Sequence, residues 1–179
     1  MSKRAIFWFR RDLRLSDNPA LLAAFDEADE VVPLFVMDDE IAERAGAHRR
    51  AYLAASLKAL DASMNGGLHV ISGDPVEVLA RLTKKYGATS IHCAFPFAPY
   101  GNALDERLKK AGIELTQLGS DYAVAPGRVL KDDGTPYRVY TPFYRAWSAH
   151  GWRKPVAAPK DPKWVAPVSY THLTLPTKA

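Results

Sequence analysis

Five consecutive residues, Arg10-Arg11-Asp12-Leu13-Arg14, follow directly on the apolar run Ala5–Phe9. Three guanidiniums and a carboxylate at the end of a buried strand can hold an anionic or polar ligand through bidentate hydrogen bonds. The same residues also make a surface Arg–Asp network that fixes the loop, and spacing leaves both readings open. A second cluster is Phe95-Pro96-Phe97-Ala98-Pro99-Tyr100-Gly101. Aromatics stiffened by prolines form an apolar wall suited to a flat conjugated ring. Loop rigidity alone is the competing account.

Other chemistry is excluded by pattern. No G-x-G-x-x-G follows a strand and no G-x-x-x-x-G-K-[ST] is present, so the usual dinucleotide and P-loop readings have no support. His48, His69, His92, His150 and His172 lack metal-ligand spacing with one another or with Cys93, so no metal is expected. His92 reads as a satisfied core histidine and Cys93 as a small buried hydrophobe. No serine sits in a G-x-S-x-G elbow. Asp132-Asp133-Gly134 reads as a turn. Nothing here is a self-contained catalytic centre.

The elements that position these clusters alternate. Short apolar runs at Ala5–Phe9, Val31–Met37, Leu68–Ser72, Thr89–Cys93 and Ile113–Leu118 read as five buried strands. Between them lie helical patterns. Asn18-Pro19 is an N-cap followed by proline at the first helical position, with Leu21, Leu22 and Phe25 on the apolar face. Leu53, Leu57, Leu60 and Met64 recur at helix spacing until Asn65-Gly66-Gly67 stops them. Asp74-Pro75-Val76-Glu77 is an Asp version of the capping box, the cap itself contributing about 1 kcal/mol, and Gly87 ends that helix. Tyr100–Ala111 is a helix with Leu104, Leu108 and Ala111 inward. This alternation predicts an α/β fold: an open doubly wound (Rossmann-like) five-stranded parallel sheet with helices on both faces. Ligands bind such sheets at the carboxyl ends of the strands, near the switch in strand order. That edge carries Phe9–Arg14, Met37–Glu40, Gly73–Asp74, Phe95–Tyr100 and the segment after Leu118. Beyond Asp121 the pattern breaks into turns and prolines, with a short helix at Thr141–Trp147. Lys154–Pro167 is rich in Pro, Lys and Ala, with little to pack, and reads as a linker.

At 179 residues the chain holds about one domain. Its 47% hydrophobic and 25% charged residues fit an ordinary globular protein, not a disordered or disulfide-framed one. A single cysteine predicts a reducing, cytoplasmic setting. No apolar run approaches the roughly 18 residues of a membrane span, so no membrane partner is expected. The net charge of +4 permits an anionic partner without requiring one.

The stretch Trp8-Phe9-Arg10-Arg11-Asp12-Leu13-Arg14-Leu15-Ser16-Asp17-Asn18-Pro19-Ala20-Leu21 closely resembles the opening signature of the DNA photolyase and cryptochrome family. Three further matches fall in order: Gly73-Asp74-Pro75, Pro99-Tyr100-Gly101, and Pro136-Tyr137-Arg138-Val139-Tyr140-Thr141-Pro142-Phe143-Tyr144-Arg145-Ala146-Trp147. The resemblance covers roughly residues 3–165. It implies an N-terminal α/β domain that binds a light-harvesting antenna chromophore. A larger helical domain would follow and bind FAD. Excited reduced flavin there gives an electron to a pyrimidine dimer in DNA, the dimer splits, and the electron returns.

By this resemblance, residues 1–150 are the α/β domain and 151–167 begin an interdomain linker. The chain stops before the FAD domain, its expected intramolecular partner, and is expected to be inactive alone. Contact with damaged DNA would lie in that missing domain. The apolar residues of Tyr137–Trp147, which would pack on it, are expected to be bare. Residues 168–179 resemble the translation of a sequencing-library adapter and are expected to be non-native. Folate-binding members place an Asn-Glu pair where this chain has Tyr100-Gly101. The antenna is therefore expected to be 8-hydroxy-5-deazaflavin or FMN in preference to methenyltetrahydrofolate. Phe95, Phe97 and Tyr100 would flank its ring, with Arg11, Asp38 and Arg49 as polar contacts. A cryptochrome-type photoreceptor shares these motifs. A stand-alone nucleotide- or flavin-binding module is the third class.

Overall fold

The computed structural model describes residues 2–167. Five parallel strands make one sheet in the order β3-β2-β1-β4-β5. They are β1 (Arg4–Phe9), β2 (Glu30–Met37), β3 (His69–Ser72), β4 (Ser90–Cys93) and β5 (Thr116–Gln117). The helices are α1 (Pro19–Glu27), α2 (Asp39–Arg44), α3 (Ala47–Ser63), α4 (Pro75–Tyr86), α5 (Pro99–Lys110) and α6 (Tyr140–His150). The predicted doubly wound sheet is therefore present, and its order reverses between β1 and β4.

Strand alternation sorts the core into two layers, because successive side chains point to opposite faces. Ala5, Phe7 and Phe9 of β1 pack with Leu21 and Ala24 of α1 and with Leu57 and Leu60 of α3. Ile6 and Trp8 face the other way, onto Val78, Leu79 and Leu82 of α4 and Leu104 and Leu108 of α5. Helices α1 and α4 start where the sequence places caps. The Asn18 side chain accepts from the Leu21 amide at 3.2 Å. Asp74 accepts from the amides of Val76 and Glu77 at 2.9 and 3.3 Å. Gly87 closes α4 in the left-handed region at φ 60°, where a side chain would be strained.

Several expectations are corrected. Ala111 is not inward: α5 ends at Lys110, and Ala111 is its exposed C-cap. β5 shrinks to two residues, pairing with β4 only at Thr116 and Gln117, while Ile113 and Leu115 pack against the core from outside the ladder. α2 carries no apolar periodicity and buries no residue, so it leaves no helical signature beyond its cap Asp38. α6 runs from Tyr140 to His150, longer at both ends than the sequence pattern indicates. His92 is buried, with Nε2 3.0 Å from Glu27 Oε2 and 3.1 Å from Ser90 Oγ, but its Nδ1 has no partner. It is thus only half satisfied.

The segment after α6 also packs, against expectation. Val31 N–H donates to the Lys163 carbonyl at 3.0 Å, and Val165 N–H to the Val31 carbonyl at 2.9 Å. This parallel bridge uses the edge of β2 below the start of β3. Trp164 meets Phe25 edge-to-face at 5.0 Å. The Val165 carbonyl accepts from buried His69 Nε2 at 2.8 Å. A tryptophan and a free strand edge therefore anchor what its composition presents as a linker. The proposed tail, residues 168–179, lies outside the described residues.

Candidate functional site

The crevice of interest lies at the carboxyl ends of β1 and β4, where strand order reverses. The loop after β1 supplies its floor. Asp12 is buried, accepting from the Arg10 amide at 3.2 Å and from Asn18 Nδ2 at 3.2 Å. Burial raises its carboxyl above the ordinary value, opposed by the Arg10 amide and other hydrogen bonds and by the charge of Arg14. Arg14 donates through Nε and Nη2 to the Asp17 carbonyl at 3.1 and 2.9 Å, and through Nη2 to the Ser120 carbonyl at 3.3 Å. Arg10 stacks over Trp8 at 4.6 Å, pairs with Asp105 at 2.9 Å, and donates to the Gly101 carbonyl at 3.3 Å. Both guanidiniums are spent on the frame. Of the five clustered residues, Arg11 alone among the charged ones stays open to solvent, 68% exposed, with Asp121 3.5 Å away.

The loop after β4 supplies the wall. Phe95, Phe97 and Tyr100 are 46%, 37% and 37% exposed. Tyr122 meets Phe97 edge-to-face at 5.8 Å. Gly101 lets α5 approach this loop: a Cβ there would meet Pro96 Cβ at 2.5 Å. Pro-Tyr-Gly thus combines a helix start at Pro99, an exposed ring at Tyr100 and a close approach at Gly101.

The structure joins two predicted residues across the end of the sheet. The Tyr100 hydroxyl donates to Asp38 Oδ2, while Asp38 Oδ1 caps α2 by accepting the Glu40 amide at 2.9 Å. Burial, then the Asp38 carboxylate, pushes the Tyr100 phenol well above its ordinary value, so it remains a donor at neutral pH. Arg49 lies in the first turn of α3, exposed, and makes no hydrogen bond or ion pair with the other five among the described residues. The sequence reading missed Asp121 and Tyr122. Their signal was position, directly after β5 on the same sheet edge.

Burial pushes the Cys93 thiol up to about 12, so it stays protonated. Among the described residues no cluster of His, Cys, Asp and Glu is placed to hold a metal, and no helix is long and apolar enough to cross a membrane. Two shallow clefts of about 520 and 550 Å³ lie elsewhere, one between Leu13–Ser16 and α3, the other beside Asp74 and Arg107. Neither includes a predicted site residue. The first presents few free polar groups, since Ser56 and Ser63 give their hydroxyls to carbonyls of their own helix. The second is crossed by the Asp74–Arg107 ion pair. The crevice at the strand-order switch combines the exposed rings of Phe95, Phe97 and Tyr100 with the open guanidinium of Arg11.

Fold and site together define a doubly wound α/β unit with aromatic and charged side chains gathered where the strand order reverses. The family model for DNA photolyase matches residues 5–162, and the chain belongs to the DNA photolyase family. A deoxyribodipyrimidine photo-lyase of Streptomyces griseus is 38% identical over 171 residues, covering 87% of this chain and 37% of that protein. Cryptochrome-2 of Gallus gallus is 34% identical over 150 residues, covering 78% of this chain and 26% of that protein. A bacterial class III photolyase from Agrobacterium tumefaciens superposes with TM-score 0.79 at 32% identity, covering 93% of this chain and 36% of that one. An archaeal photolyase from Sulfolobus tokodaii, solved with two FAD molecules and described as implying a novel light-harvesting cofactor, gives TM-score 0.70 at 27% identity, over 93% and 38% of the chains. The chain spans about a third of the length of the photo-lyases it matches.

Proposed function

We propose that this chain is the N-terminal antenna-chromophore unit of a deoxyribodipyrimidine photo-lyase. The exposed wall of Phe95, Phe97 and Tyr100 beside the open Arg11 guanidinium carries the reading. A flat conjugated ring can lie on that wall with offset or edge-on aromatic contacts. Arg11 would meet an anionic tail, and the Asp38–Tyr100 pair would hold a polar ring edge. Arg49 is the outermost contact, open to solvent on the first turn of α3. The chromophore, when bound, supplies light absorption and energy transfer. The chain's residues only bind it, orient it and shield one of its faces.

The chromophore class is 8-hydroxy-5-deazaflavin or FMN in preference to methenyltetrahydrofolate. The Pro99-Tyr100-Gly101 form supports this, as does the second flavin in the Sulfolobus relative. In this reading, residues 1–150 form the α/β domain and 151–167 lead toward a second domain in the longer parent. That domain would bind FAD and split pyrimidine dimers in damaged DNA, and it would be the intramolecular partner of this one.

The test is equilibrium binding of FMN, deazaflavin and methenyltetrahydrofolate to the 179-residue chain, read by ligand fluorescence. Binding of a flavin-type ring that weakens about tenfold in Phe97→Ala supports the proposal. Preference for the folate overturns the chromophore class, and no binding of any of the three overturns the site. The cryptochrome similarity makes a photoreceptor parent the second reading. Light-dependent dimer repair by a full-length parent separates the two.

A further inference from the structure

The segment after β5 turns a carboxylate toward the open guanidinium of the crevice. Asp121 Oδ2 lies 3.5 Å from Arg11 Nε. The Asp121 side chain is only 19% exposed, and Arg11 is its one ion-pair partner among the described residues. The turn that presents Asp121 is fixed on both sides. Phe95 N–H donates to the Gly119 carbonyl at 3.2 Å, and Arg14 Nη2 to the Ser120 carbonyl at 3.3 Å. Ser120 Oγ donates to the Tyr122 carbonyl at 2.9 Å and accepts from the Tyr122 amide at 3.2 Å. Contact on the Nε side of Arg11 leaves the Nη1–Nη2 edge, a fork of donors suited to an anionic oxygen.

Most other charge around the crevice is paired. Arg10 is matched by Asp105 at 2.9 Å, Glu40 by Arg44 at 3.2 Å, and Arg107 by Asp74. The Arg14 charge acts on buried Asp12. What remains is Arg11 against Asp121 and Asp38. Asp38 accepts from the Glu40 amide and the Tyr100 hydroxyl and pairs with no cation among the described residues. Arg49, exposed on the first turn of α3, pairs with neither carboxylate. One guanidinium therefore faces two carboxylates.

We propose that Asp121 is a specificity-determining residue of the crevice, penalising a doubly charged chromophore tail and admitting a singly charged or uncharged one. This role rests on the chromophore reading and names the tail that the same site accepts. Arg11 supplies one positive charge, and Asp121 offsets it where the tail arrives. A second negative charge on the tail faces Asp121 across the guanidinium. A carboxylate and a dianion roughly 8 Å apart, screened about as in water, lower affinity about fivefold. Selectivity here comes from a built-in repulsion.

The test compares riboflavin with FMN, which share a ring and differ by the tail phosphate. At about pH 7.5 a phosphate monoester is mostly dianionic. Binding to the 179-residue chain at low salt is followed by flavin fluorescence. The parent is expected to bind FMN no more than about threefold more tightly than riboflavin. Asp121→Asn keeps the side-chain shape and an oxygen for Arg11 but removes the charge. It is expected to tighten FMN about fivefold and to move riboflavin less than about twofold. The difference should vanish in about 0.5 M salt. Glu114→Gln, exposed before β5 at the opposite edge of the sheet, makes the same charge change and is expected to move neither.

A parent chain that already prefers FMN by about tenfold shows Arg11 unopposed, and overturns the proposal without any variant. Two further results overturn it while leaving the chromophore site in place. One is binding of both flavins with a ratio unmoved by Asp121→Asn. The other is a ratio moved equally by Glu114→Gln. A parent that binds neither flavin removes the site itself, and this role with it.

Discussion

Gly101→Ala pits helix propensity against packing. Gly101 sits in the first turn of α5, after Pro99 and Tyr100. Alanine in a helix is favoured over glycine by about 1 kcal/mol, so propensity alone predicts a stabilised protein. The added methyl, however, would lie 2.5 Å from Pro96 Cβ and 3.4 Å from Arg10 Nη2. The arginine end can swing. The proline ring cannot, because it is part of a backbone loop tied at Phe95 N–H to the Gly119 carbonyl. Displacing packed backbone of this kind costs about 1–3 kcal/mol. The net expectation is a loss of up to about 2 kcal/mol, which for a domain of this size lowers Tm by up to about 8 °C. The double variant Gly101→Ala/Pro96→Gly keeps the added methyl but removes the proline ring that it would meet. It should show a favourable coupling of about 1 kcal/mol relative to the two single changes. Thermal melts by circular dichroism measure all four corners of this cycle. A Gly101→Ala protein that melts higher than the parent, with no coupling to Pro96, would refute the view that Gly101 is required for close approach.

Three more expectations follow from the frame and the core. Asp12→Asn keeps an acceptor for the Arg10 amide but turns an amide N–H toward Asn18 Nδ2, leaving two buried donors facing each other. It should cost about 1–3 kcal/mol, read by urea denaturation; an unchanged midpoint contradicts the buried network. Trp164→Ala removes the edge-to-face contact with Phe25 and the anchor of the bridge at Val31. For a partly buried indole we expect a loss of about 2 kcal/mol and faster hydrogen exchange at Val31 and Val165. Burial holds the folded-state basicity of His69 and His92 below the ordinary histidine range. Below pH about 6.5 the unfolded chain therefore binds more protons than the folded one, and stability falls with falling pH until the folded groups titrate. Glu27, Asp17 and Asp74 have lowered values and add a further loss at more acidic pH. Replacing both histidines by Gln should flatten the melting temperature between about pH 7 and pH 5; an unaltered slope assigns it elsewhere.

The fold was legible because its signals are local and mutually consistent. Apolar runs of strand length, caps at Asn18 and Asp74, and the stop at Gly87 each specify one element, and their alternation specifies the sheet. What sequence did not disclose lies where tertiary contact overrides composition. Trp164 sits in a stretch of prolines and lysines, yet it packs because β2 extends below β3 and leaves an edge to pair. The short helix α2 exists through the Asp38 cap, with no apolar face to announce it.

The candidate site divides in the same way. Which residues reach the switch in strand order could be read from their places after strands. Which of them are consumed by the frame could not. Arg10, Asp12 and Arg14 prove to be ties between β1, α1, α5 and the segment after β5. The loop-fixing account therefore holds for them, while Arg11 alone keeps an outward guanidinium. Tyr122 escaped notice because its partner Phe97 is 25 residues away in sequence, and only folding brings the two rings to 5.8 Å.

Amide chemical-shift mapping of the isotope-labelled chain during titration with FMN tests the central claim most directly. The account predicts saturable shifts concentrated at Arg11, Asp38, Phe95, Phe97 and Gly101, with the Leu13–Ser16 and α3 cleft unchanged. Shifts confined to that cleft, or no saturable shifts at all, would contradict a chromophore site at the strand-order switch.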